Sequence, residues 1–137
     1  MASLIYNSAL EDEARGVIDY DTDTFKALLV SSSYTPSKSG HTRRSDVTNE
    51  LSTGSGYTAG GVTVACTVAK DNTNNKVTLT FAGSSWTGLT GTAQGMVVYK
   101  STGTAANDPL VFYLDMGGVT RTNATLAISA STITKQN

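Results

Sequence analysis

A single cysteine, Cys66, leaves this chain of 137 residues no intrachain disulfide framework and no cysteine-rich zinc site. Histidine is as scarce. His41 has no second histidine or cysteine nearby to share a metal, and no nucleophile is set beside it by spacing. Charge is sparse too: charged residues make up 15% of the chain and the net charge is −1. That balance carries no electrostatic footprint for nucleic acid or for an anionic membrane. No run approaches the roughly 18 apolar residues of a membrane span. The opening MASLIYNSALEDEAR has no basic segment followed by an apolar one, so no secretory signal is expected and folding is assigned to a reducing cytoplasm. The low charge does not imply disorder, because 39% of the residues are hydrophobic and their spacing is periodic. One β domain over residues 1–137 is expected, long enough to bury roughly two-thirds of its unfolded surface.

What is present is alternation. Val62, Val64, Cys66 and Val68 alternate with Thr63, Ala65, Thr67 and Ala69, the period of two that a half-buried strand requires. After the polar turn Lys70 to Asn75, Val77, Leu79 and Phe81 resume it against Thr78, Thr80 and Ala82, predicting a hairpin. Phe25 to Val30 is apolar on both sides and predicts a central buried strand. Thr92 to Lys100 and Leu110 to Asp115, joined by a small polar connection, predict a second hairpin, and Ala124 to Thr134 a last strand. Gly83 to Gly88 and Met116 to Asn123 read as turns. The sum is about six to seven antiparallel strands, a β-sandwich or jelly roll. Residues 1–16 read as a short N-terminal helix, capped by Asn7 or Ser8, or as an extended arm. Residues 34–50 read as a long loop.

Chemical motifs are few. The DYDTD run at Asp19 to Asp23 has carboxylates at alternate positions. An EF-hand loop starting at Asp19 needs glycine sixth and glutamate twelfth, where the chain has Thr24 and Val30, so an acidic turn is expected. Gly54 to Gly61 lacks the Gly-Lys-Ser/Thr ending of a phosphate loop, and a strand follows it; its glycines suit a tight crossing between strands. His41 reads as a solvated loop residue, with a subunit contact as the alternative. Arg43 and Arg44 suit a neighbour's carboxylate or a backbone phosphate, but two arginines do not make a nucleic-acid groove. Trp86 reads as a lid or interface residue, or else as a carbohydrate platform. Glu50, Asp71, Asp108 and Asp115 stand isolated. With one histidine, one cysteine and scattered acids, no catalytic site and no metal or cofactor are expected. Threonine and serine at outward positions, in place of lysine and glutamate, suit a chain that packs against many copies of itself or of a host surface.

The order YNSAL, DTDTFKALLVSSSYTPSKSGHTRRSDVTNE, GSGYTAGGVTVA and GMVVYKSTGT resembles a family of small virion structural proteins of tailed bacteriophages. The similarity runs from Tyr6 to about Ala130, with its most specific blocks at Phe25 to Thr35, Asp46 to Glu50 and Gly56 to Gly61. The role within such particles that it matches best is capsid cement, or decoration. The resemblance implies a location in the virion, assembled in the bacterial cytoplasm, with the major capsid protein and copies of the same chain as partners. It brings no catalytic residues. A tail-associated receptor- or glycan-binding module is the alternative. Leu4, Ile5, Tyr6, His41, Arg43, Arg44 and Trp86 are the interface candidates, with Ala2 to Asp12 and the loop Tyr34 to Glu50 expected to reach neighbours.

Overall fold

The computed structural model describes residues 2–137 and shows eight strands, one α-helix and two short helical turns. The apolar run Phe25–Val30 becomes β2, and it is central as expected. Leu28, Leu29 and Val30 have no exposed surface, and β2 is paired on both sides. It lies in a five-stranded antiparallel sheet of order β1 (Leu4–Ile5), β7 (Leu110–Ile128), β6 (Ser84–Lys100), β2, β3 (Val62–Val64). A three-stranded sheet, β4 (Cys66–Asp71), β5 (Lys76–Phe81) and β8 (Ser131–Gln136), forms the second layer. The architecture is an all-β antiparallel sandwich with a short N-terminal helix.

The main core lies between the sheets. Phe25, Ala27 and Leu29 point inward from β2 and meet Leu79, Phe81, Trp86 and Leu126. Edge-to-face ring contacts run from Phe25 to Phe81 at 5.5 Å and from Phe81 to Phe112 at 5.2 Å between centroids, a geometry that adds to plain area burial. Leu28 and Val30 point the other way, into a second cluster with Tyr6, Tyr34, Val97 and Tyr113. The five-stranded sheet is therefore covered on both faces, which is why β2 is apolar at every position but Lys26.

Four sequence expectations change. The alternating run from Val62 to Val68 is not one strand. Val62–Val64 pairs with β2, the chain bends at Ala65, and Cys66–Asp71 pairs with β5. The Ala82 N–H donates to the Ala65 carbonyl at 2.8 Å, so β4 and β5 leave their sheet at one corner, as strands do when they switch layers. The predicted last strand breaks at the same corner, between Ile128 and Ser131. Gly83 to Gly88 and Met116 to Asn123 are almost wholly strand rather than turn, because β6 and β7 pair along nearly their whole length through several register shifts. Gly88, Gly91, Gly117, Gly118 and Asn123 have positive φ there. Bulges and turns draw on the same residues, and sequence alone does not separate them. Finally, the helix α1 (Asn7–Ala14) starts from Tyr6 with no side-chain cap, in place of Asn7 or Ser8.

Candidate interaction surface

The N-terminal segment and the loop between β2 and β3 were the expected reaching elements, but both lie against their own chain. Leu4 and Ile5 pair with Tyr113 and Phe112 as an edge strand and are half-buried. Tyr6 is fully buried; its hydroxyl is 2.9 Å from that of Tyr34, which in turn lies 2.9 Å from His41 Nδ1. The Ser37 N–H also points at Nδ1, at 3.2 Å. A backbone N–H can only donate, so Nδ1 accepts and Nε2 carries the ring proton. Burial first, then the bond to Tyr34, pushes the Tyr6 phenol far above its ordinary value, so it stays protonated. His41 is thus a half-buried fastening stacked on Tyr34, with rings 5.6 Å apart, and not a solvated loop residue.

Arg43 and Arg44 are likewise spent within the chain. Arg43 bonds to Asp12 at 2.8 Å, locking the loop to α1. Arg44 bonds to Asp108 at 2.9 Å and lies 5.1 Å above the Tyr99 ring. Asp108, isolated in sequence, is 1% exposed and also accepts from the N–H and hydroxyl of Thr102. The acidic run at Asp19 folds on itself: the Asp19 N–H donates to Asp23, the Asp21 N–H donates to Asp19, and Asp23 meets Lys100.

Trp86 is 3% exposed within β6 and tilts against Tyr57 at 6.5 Å, itself 3% exposed. Both rings are core, so neither offers a platform to a sugar. The Tyr57 hydroxyl donates to Glu50 at 2.7 Å and accepts from the Leu29 N–H at 3.1 Å, while Glu50 also accepts from the Gly60 N–H. This network pins the glycine-rich crossing to β2. Tyr57→Phe is expected to cost about 1–3 kcal/mol, since it leaves the buried Leu29 N–H without a partner and removes one of the two donors to the Glu50 carboxylate oxygen. Urea unfolding of the two proteins measures it.

The surface that stays open lies elsewhere. Register places Thr67, Thr80 and Thr132 in one row across the three-stranded sheet, and Ala69, Thr78 and Thr134 in the next. Leu79 and Ile133 alternate with these threonines and point into the core, so the hydroxyl face is outward. Beside it, a groove of about 400 Å³ runs between the edge strands β1 and β8, lined by Ile5, Phe112, Leu114 and Ile133 among others. Residue-by-residue reading of the sequence did not single out this face. Its signal was the repeated Thr-x-Thr of Thr78 to Thr80 and Thr132 to Thr134, which only strand pairing turns into a surface. No family model, curated protein or solved structure matches this chain.

Proposed function

We propose that this chain is a non-enzymatic structural protein of a tailed-phage virion, a capsid cement that covers joints between major capsid protein subunits. The observation that carries the reading, beside the sequence resemblance, is the outward face of the three-stranded sheet. It is hydroxylated and centred on threonine rather than on charge, and it is backed by a packed aromatic core. A surface of that chemistry neither repels a copy of itself nor demands a charged partner. Cement works by many modest contacts multiplied by symmetry, and a rigid sandwich with its loops tied down presents such contacts without an ordering cost.

Quantitative mass spectrometry of purified particles tests this. Copies in the hundreds, in fixed ratio to the major capsid protein, are expected. A handful per particle, in multiples of about three or six, would move the chain to the tail, and absence from the particle would remove it from the virion. The arm needs a different test from simple deletion. Removing residues 2–12 takes away Tyr6, Ala9 and Asp12, all buried, and so strips the cover from the second core cluster.

A further inference from the structure

We propose that β8 is a self-pairing edge: two copies of this chain join their β8 strands antiparallel about a two-fold axis, making one continuous sheet of the two three-stranded layers. The inference deepens the self-association in the reading above, yet it stands or falls on the purified protein, whereas the virion assignment stands or falls on copies per particle.

The phase of the edge follows from one hydrogen bond. The Asn137 N–H donates to the Asn75 carbonyl at 2.9 Å, and β8 pairs with β5 in the register Gln136 to Lys76, Ile133 to Leu79. Bonded and non-bonded pairs alternate along an antiparallel ladder. Ser131, Ile133 and Lys135 therefore bond inward to β5, while Thr132, Thr134 and Gln136 turn their N–H and C=O groups outward. β8 is last in its sheet, so among the described residues no strand pairs with those groups.

Edges of this kind are usually blunted by proline, a bulge or a lone charge. β8 has neither a proline nor a bulge. It is six residues long, its ladder to β5 has no register shift, and it contains no proline. Its one charge, Lys135, turns away to Glu13 at 2.5 Å. The edge at the other side of the sheet differs. β4 carries two charged residues, Lys70 and Asp71, and lies beside the acidic turn of Asp19 and Asp21, so that edge is charged where the middle of β8 is not.

Self-pairing also solves the register. With the axis at Ile133, Thr132 and Thr134 of one copy exchange backbone bonds with Thr134 and Thr132 of the other. The two Ile133 side chains then face each other on the core side and help close the groove, and the threonine rows run on across the joint. Moving the axis to Thr134 would set Ile133 against a lysine. A strand of six residues is roughly 20 Å long. Such a joint covers less than the roughly 800 Å² per partner of a stable complex, so the dimer is weak alone and gains from repetition on a lattice.

Sedimentation of the full chain from about 10 μM to about 1 mM, with residue-resolved amide exchange at both ends of the series, tests it. Mass is expected to rise towards a dimer. The Thr132 and Thr134 amides should slow with concentration, while Ile133 and Lys135, already bonded to β5, should not change. Thr134→Pro removes a donor the isolated chain does not use and is expected to hold the protein monomeric. A monomer throughout the series would overturn the proposal. So would a dimer that leaves the Thr132 and Thr134 amides unprotected, or one that a folded Thr134→Pro variant retains. Should that variant fail to fold, the exchange pattern of the unaltered chain decides.

Discussion

Gly61→Ala is expected to destabilise the chain by about 4 kcal/mol or more, a large part of the roughly 5–15 kcal/mol that holds a domain folded. Gly61 has φ of +79°, and a Cβ built there overlaps the carbonyl of Ala27. The left-handed conformation alone costs an L-residue roughly 1–2 kcal/mol. The rest comes from Ala27, which cannot move away. It sits in β2, paired to β6 and β3, with apolar clusters against both faces of the strand. Gly103→Ala is the control: φ is +96° there, but nothing lies within 4 Å of the added carbon. Denaturant unfolding followed by Trp86 emission compares them. If Gly61→Ala cost no more than Gly103→Ala, the crossing would not press on β2 as described.

Asp108→Ala is expected to cost about 3–5 kcal/mol, the range for removing one partner of a buried ion pair. The side chain of Asp108 is 1% exposed and that of Arg44 is 25% exposed, so the loss leaves a half-buried guanidinium and two Thr102 donors unanswered. Burial pushes the Asp108 carboxyl up, but the Thr102 hydroxyl and N–H together with Arg44 outweigh it and hold the group below its ordinary value. A carboxylate lowered in the folded state contributes in full above its unfolded value, about 3.9. The contribution fades as pH falls through the folded value. Stability measured from neutral pH into the acid range should therefore fall less steeply for Asp108→Asn than for the unaltered chain. Asp46 and Asp71, also lowered by their hydrogen bonds, keep part of the slope in both proteins. Equal slopes would mean that Asp108 is not held ionised by these donors.

The sequence alone was enough for several strands and for which of their side chains face inward. Alternation at Val77 to Phe81 and the run Phe25 to Val30, apolar but for Lys26, named a half-buried strand and one buried on both faces, because side-chain period and burial on one or both faces are local consequences of the pleat. It was enough, too, for an all-β antiparallel sandwich or jelly roll, while the choice between a helix and an extended arm at residues 1–16 fell to the structure, which has the helix Asn7–Ala14. Three more things needed the tertiary structure. Sheet membership was one: a bend at Ala65 keeps the inward face inward, so alternation passes through the corner unmarked. The length of β6 and β7 was another, since Gly88, Gly91, Gly117 and Gly118 serve bulges here and would serve turns elsewhere. The third was the fate of the polar residues. His41, Arg43, Arg44 and Asp108 look free in sequence because their partners lie up to 64 positions away. Those contacts tie His41, Arg43 and Arg44 into the chain's own fold, while the threonine face and the β8 edge carry no such ties among the described residues. Local pattern sets which way a side chain points; only packing sets what it meets.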